Sequence, residues 1–269
     1  MNAGDPPPPP VPLPLPVADS HAHLDLMGVP IPELLVGANG VGVNPIMTVG
    51  IDVSSSQWAA ATAAREEEIH AAVAIHPNAA GGGLPDADYA EIARLAALPQ
   101  VRAVGETGLD HYRTGPDGHA AQEEAFRRHI AIAKDTGKAL VIHDRDAHDD
   151  VLRVLAEEGA PEVTVFHCFS GDADMARVCA RAGYYMSFAG NLTFRNADDL
   201  RAAAGAAPDE LLLVETDAPF LTPMPYRGRP NAPYLVPFTV RALAALRGLD
   251  LPDLCSILSA NWTKAFMTG

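Results

Sequence analysis

His21 and His23 are separated by a single residue inside an apolar segment. If that segment is a strand, alternate side chains share a face and both imidazoles point the same way. One histidine in a strand is usually a core or surface residue. Two on one face more often coordinate a metal. Four further residues with ligand or acid–base chemistry close other apolar runs. Glu106 ends the run 101–106, His143 ends 139–143, His167 closes 163–167 and Asp217 ends 211–217. One such residue would be read as an isolated buried polar group with its own partner. Six buried ionisable groups are hard to satisfy that way, and a shared ion satisfies them together. Four imidazoles and two carboxylates form a mixed nitrogen and oxygen set suited to Zn, Mn, Fe or Ni, with Mg tolerated where oxygen dominates. Six ligands exceed the three that hold one catalytic zinc. They suit two divalent ions about 3.5–4 Å apart. Glu106 is the natural bridge, because a carboxylate offers two oxygens and an imidazole only one free nitrogen.

The elements that must position these groups follow one rhythm. Short apolar runs at 17–24, 44–51, 71–76, 101–106, 139–143, 163–168, 184–189 and 211–217 read as buried strands. Ala-rich amphipathic stretches at 31–38, 55–69, 86–97, 118–136, 146–158, 172–182, 196–206, 233–247 and 251–267 read as helices. Continuous rather than alternating apolar strands indicate a parallel sheet covered on its outer face. Eight strand–helix units in a chain of 269 residues fit an α/β fold of the (β/α)8 TIM-barrel type. Its active site lies at the C-terminal ends of the strands. A doubly wound open sheet would bring a Gly-rich loop after the first strand, and none is present. Residues 1–16 carry a run of prolines from Pro6 to Pro10 and alternating prolines to Pro16. This tract cannot enter a sheet ladder and favours extended polyproline structure. It is expected to be a disordered leader, with one barrel domain over 17–269, so that removing it would leave folding and turnover almost unchanged.

Composition narrows the function classes. Apolar residues are 48% and charged residues 20% of the chain, which excludes a wholly disordered protein. Nineteen Lys and Arg against 34 Asp and Glu give −15, which argues against a basic nucleic-acid surface or a polybasic membrane patch. Three cysteines cannot all pair internally, and the first cation in the chain is Arg65. A reduced, cytoplasmic protein without a cationic targeting peptide is expected, with no membrane association and no stable protein partner.

The motifs resemble the TatD family of metal-dependent hydrolases, from residue 17 to about 266. They are Asp19-Ser20-His21-Ala22-His23-Leu24-Asp25, His76-Pro77, Gly105-Glu106-Thr107-Gly108-Leu109-Asp110, Ile142-His143-Asp144-Arg145, His167-Cys168-Phe169-Ser170-Gly171 and Glu215-Thr216-Asp217-Ala218-Pro219-Phe220-Leu221-Thr222-Pro223. The resemblance implies an amidohydrolase-like barrel, two divalent ions (Mg, Mn or Zn) and deoxyribonuclease activity. By that resemblance His21, His23 and Glu106 hold one metal, and Glu106, His143 and His167 hold the other. Asp217 joins the first as ligand and proton acceptor. Two positions depart from the family pattern. His111 follows Asp110 where an aromatic is frequent, with Tyr112 next. Ala232 stands in Asn231-Ala232-Pro233 where a Glu is common.

The expected activity is phosphodiester hydrolysis by a metal-activated hydroxide. The substrate is a single-stranded DNA end, cut in the manner of a 3'-5' exonuclease. Arg145, Arg227, His76 and Tyr112 are the expected substrate contacts, since guanidinium groups bind phosphate bidentately. Surface pairing with the many acids is the default for any one Arg. His76 reads either as a group beside the site or as a buried structural residue. Asp110 either orients a ligand His or caps a loop. His70, His111, His119, His129 and His148 fall on helices or loops and read as solvated. The alternative function is an ester or amide hydrolase such as an aminoacyl-tRNA deacylase, using the same ligands. A non-catalytic binding protein acting through the proline tract is a third reading, and the complete ligand set argues against it.

Overall fold

The computed structural model describes residues 4–268. Eight strands form one sheet in chain order: β1 (Val17–Ala22), β2 (Val43–Val49), β3 (Ile69–Val73), β4 (Val101–Asp110), β5 (Ala139–Arg145), β6 (Thr164–Phe166), β7 (Tyr185–Phe188) and β8 (Leu212–Val214). A parallel bridge between Ala22 and Ala218 joins the first strand to the segment that follows the last. The fold is a (β/α)8 barrel. Between and after the strands run α1 (Ile31–Asn39), α2 (Val53–Ala63), α3 (Pro77–Ala80), α4 (Asp86–Ala96), α5 (Pro116–Thr136), α6 (His148–Glu158), α7 (Ala173–Ala182), α8 (Asp198–Ala206), α9 (Val236–Arg247) and α10 (Leu251–Phe266). The single-turn α3 is additional to the helices expected from periodicity. It starts at Pro77, whose missing N–H costs nothing at a helix start. Among the described residues no helix is long and apolar enough to cross a membrane.

The chain forms two compact units. One contains β3 to β6 with α2 to α6. Its strands pair in parallel, with Ala72 opposite Ala103 and Leu140 opposite Val104 and Thr164. Val104, Leu140, Ile142 and Phe166 are fully or almost fully buried. That explains why these strands read as unbroken apolar runs. β4 extends past Glu106 to Asp110, because its pairing with β5 continues from Thr107 opposite Ile142 to Asp110 opposite Arg145. Glu106 therefore stands within the strand, at a register shift between Val104 and Thr107. Gly108 permits the close approach: a Cβ there would lie 2.1 Å from the His143 carbonyl oxygen, and its φ is +135°.

The long helix α5 corrects one expectation. His129 is fully buried, not solvated. Its Nδ1–H donates to the Ala125 carbonyl (2.7 Å), and its Nε2 accepts from the Ile75 N–H (3.2 Å). Burial lowers its pKa to about 4, against the partly offsetting Ala125 hydrogen bond.

The other unit contains β1, α1, the start of β2, β7, β8 and α7 to α10. In this unit side chains contact the proline tract. Its first three residues lie outside the described ones. Five of its carbonyls accept from side chains. Arg229 donates to Asp5 (2.8 Å) and Pro6 (2.8 Å), Tyr234 to Pro7 (2.6 Å), and Arg241 to Val11 (2.7 Å) and Pro12 (3.1 Å). Leu13 is buried, and its N–H donates to the Val41 carbonyl (2.9 Å). A polyproline segment leaves its carbonyls without backbone partners, and these three side chains supply the donors.

Candidate metal centre

In the unit that holds β1 and β8, His21, His23 and Asp217 converge. Their ligand atoms lie within 4.8 Å of one another. The two Nε2 atoms are 3.3 Å apart, and Asp217 Oδ1 is 3.9 Å from His21 Nε2 and 3.5 Å from His23 Nε2. Both histidines are buried. An ion held at the roughly 2.0–2.1 Å typical of imidazole nitrogen spaces its ligand atoms about 3 Å apart, so the donor set fits a divalent cation. β1 places both rings on one face, and the Asp217 N–H donates to the His21 carbonyl (2.9 Å). Asp217 has φ 53°, a conformation that Asp tolerates better than most residues.

Asp19 is a residue the sequence reading left without a role. It is fully buried and accepts from the Thr216 N–H (2.9 Å), the Thr216 hydroxyl (2.5 Å) and the His21 N–H (3.3 Å). It thereby ties the start of the histidine motif to the residue before Asp217. Burial pushes its carboxyl up to about 8, against the pull of these hydrogen bonds. The signal was present in the sequence: the alternation that pairs His21 with His23 also puts Asp19 on their face.

In the other unit, Glu106, His143 and His167 converge. Glu106 Oε2 lies 2.8 Å from His167 Nε2 and 3.2 Å from His143 Nδ1, and those two nitrogens are 3.5 Å apart. His143 Nε2 faces Asp110 Oδ2 at 3.2 Å. With the proton on Nε2, the Nδ1 lone pair faces Glu106 and His167, the arrangement of a ligand histidine held by a carboxylate. Asp110 also accepts from the Arg113 N–H (2.8 Å), so it both orients the histidine and caps the turn. His76 stands beside this set, with Nε2 3.7 Å from Glu106 Oε2. Its Nδ1 accepts from the Asn78 N–H (3.1 Å), which leaves the proton on Nε2. His76 therefore presents a donor toward the group rather than a lone pair.

Electrostatics follow from these contacts. Burial alone would raise Glu106, but the nearby His167 and His76 and the His143 hydrogen bond hold its carboxyl well below the usual range. Asp110 is likewise held low, its burial overcome by the His143 and Arg113 hydrogen bonds. His143 is raised: burial opposes its charge, but Asp110 and Glu106 outweigh it. Burial brings His76 down to about 4 despite Glu106.

Of the expected substrate residues, Arg145 and Tyr112 stack on each other, and Arg227 stacks on Phe194, which was not expected. The Arg145 guanidinium stacks 4.0 Å from the Tyr112 ring centroid, and Tyr112 is 65% exposed. In the other unit Arg227 stacks 4.3 Å from the Phe194 ring. Phe220, unassigned from sequence, is 51% exposed and stands edge to face with His23, centroids 6.0 Å apart.

The family model described as TatD related DNase matches residues 18–267. The chain belongs to the TatD family. It is a metal-dependent hydrolase. An uncharacterized metal-dependent hydrolase TatD of Mycobacterium tuberculosis is 47% identical over 243 residues, covering 89% of this chain and 92% of its own length. The Bacillus subtilis metal-dependent hydrolase YabD is 37% identical, over 88% of this chain and 92% of its own. The crystal structure of YJJV, a TatD homolog from Escherichia coli, superposes with a TM-score of 0.88 at 25% identity, covering 94% of this chain and 98% of that one.

Proposed function

We propose that this TatD-family hydrolase cleaves phosphodiester bonds of nucleic acid with two divalent ions, one held by each ligand group. Its favoured substrate is the end of a single DNA strand. The observation that carries the reading is the pair of three-atom ligand sets, His21–His23–Asp217 and Glu106–His143–His167, with spacings of 2.8–3.9 Å. Divalent ions in these sets supply Lewis acidity that makes water a nucleophile near neutral pH and offsets charge on phosphate oxygens. Asp217 accepts the proton of the attacking water and returns it to the leaving oxygen. Asp110 holds His143 in its ligand tautomer. The His76 Nε2–H and the Arg145 guanidinium bind phosphate oxygens. The exposed faces of Tyr112 and Phe220 offer stacking surfaces for bases, a sequence-tolerant contact.

A net charge of −15 restricts attraction to the neighbourhood of the ions, since screening in physiological salt acts over about 8 Å. A duplex interior would meet repulsion, whereas a single-stranded end brings only one or two phosphates. The test is digestion of end-labelled single-stranded, blunt duplex and closed circular single-stranded oligonucleotides with Mg or Mn. Linear single strands are cut fastest. Equal cutting of circular and linear strands would remove the end-entry model. Cleavage of an aminoacyl ester with no cutting of nucleic acid would move the assignment to the ester-hydrolase class.

A further inference from the structure

The loop between β8 and α9 carries Asp217, Phe220 and Arg227, and it has few regular backbone hydrogen bonds of its own. Short local contacts fold it. The Tyr226 N–H donates to the Pro223 carbonyl (2.9 Å), the Arg229 N–H to the Tyr226 carbonyl (3.1 Å) and the Thr222 hydroxyl to the Arg229 carbonyl (2.6 Å). The Met224 N–H donates to the Thr193 hydroxyl (2.8 Å), one residue from the Phe194 ring under Arg227. Asn231 ties the two ends of the loop, donating to the Thr216 and Phe220 carbonyls, and Ala218, Thr222 and Ala232 are buried. The stretch from Met224 to Pro230 is exposed or half-buried and opens locally at lower cost.

The proline tract adds a restraint at the end of that exposed stretch. The Arg229 guanidinium lies 5.3 Å from the Tyr226 ring and spends two donors on the carbonyls of Asp5 and Pro6. Tyr234, at the end of the loop, holds Pro7, and Arg241 on α9 holds Val11 and Pro12. Pro6 to Pro10 have φ fixed in advance and no N–H to satisfy. The segment is therefore stiff before it docks, and ordering it costs little entropy. Its five bonded carbonyls meet donors from the loop's last turn, from Tyr234 and from α9. We propose that the proline tract is an internal ligand of the loop after β8, and that it positions Arg227 for substrate. The consequence for substrate binding rests on the phosphodiesterase reading; the mechanical link does not.

Three variants test it: deletion of residues 2–12, Arg229→Ala, and Arg229→Lys as the conservative change. Hydrogen exchange at residues 218–232 reads the link without any substrate. Exchange should accelerate about tenfold or more in the deletion and in Arg229→Ala. It should be unchanged in β3 to β6 and partly restored in Arg229→Lys. A synthetic peptide of residues 2–12 added to the deletion variant should slow loop exchange again. With a single-stranded oligonucleotide, KM should rise several-fold while kcat and bound metal stay near wild type. Loop exchange equal to wild type in both Arg229→Ala and the deletion overturns the proposal. If the deletion variant does not fold, Arg229→Ala alone decides. Faster exchange together with a wild-type protein that cuts no oligonucleotide would retain the link and sink the phosphodiesterase reading.

Discussion

Asp217 and Asp110 are both acids beside ligand histidines, yet their positions ask different things of them. Asp217 Oδ1 points at two imidazole nitrogens, while Asp110 stands behind His143. Asp217→Asn keeps an oxygen for a metal but cannot take a proton. Turnover should fall by roughly 10²–10⁴ with metal content nearly intact, as measured by kcat and elemental analysis of the same preparation. Asp110→Asn leaves one oxygen for two donors, the Arg113 N–H and the His143 Nε2–H, and so loosens the hold on the His143 tautomer. Metal affinity should fall by roughly 10–100-fold, seen in a titration of Mn or Zn, and saturating metal should restore most of the rate. Glu106→Ala should strip the ion held with His143 and His167. Whether the second ion leaves too, in the same elemental analysis, decides if Glu106 bridges as the sequence pattern suggests. The residues of the two ligand-capable groups were conspicuous in the sequence because Glu106, His143, His167 and Asp217 stand at or just past the end of an apolar run, and His21 and His23 share a face inside one. Asp19 and Phe220 were not conspicuous, since their roles come from neighbours near position 217, far along the chain.

At the level of elements, the strands were found because burial makes most of their residues apolar, although β1 carries Asp19, Ser20 and His21 and β2 carries Asn44 and Thr48. β4 has a different kind of interruption. Gly105, Glu106 and Gly108 interrupt its pattern, although the pairing with β5 runs on to Asp110. Helix α5 teaches the converse. Gln122, Ala125, Phe126, His129, Ile130 and Ala133 form its buried stripe at the spacing of a core-facing helix, so His129 sits where an apolar residue would be expected. Its buried state has a pH consequence. The folded pKa near 4 is below the 6.5 of a solvated ring, so the unfolded chain takes up the proton first. The contribution is complete above pH about 6.5 and is lost as pH falls toward 4, on the order of 3 kcal/mol in all. His129→Gln should flatten the decline in denaturant midpoint between pH 6.5 and 4. It should also cost about 1–3 kcal/mol at pH 7 through imperfect replacement of two buried hydrogen bonds. The proline tract was illegible for a different reason: its composition is explicit, but its donors lie 223 to 230 residues away.

At the scale of the molecule, most core residues are apolar and independent of the ligand groups, so metal removal should leave the fold standing. Chelation should abolish hydrolysis with far-ultraviolet circular dichroism unchanged. Adding metal should raise Tm with concentration, as for any ligand bound only by the folded state. Loss of helical signal on chelation would show that the ions are part of the core. The bridge between Ala22 and Ala218 bears on how the protein is made. Glu106, His143 and His167 all leave the ribosome within one stretch of chain, and their set is complete once β6 has formed. His21 and His23 emerge much earlier, but Asp19 meets Thr216 across 197 residues. Contacts of that span are among the last to form. During synthesis the earliest histidines therefore wait for the latest acid. The ligand-capable set at the middle strands is thus complete well before the set that needs β8.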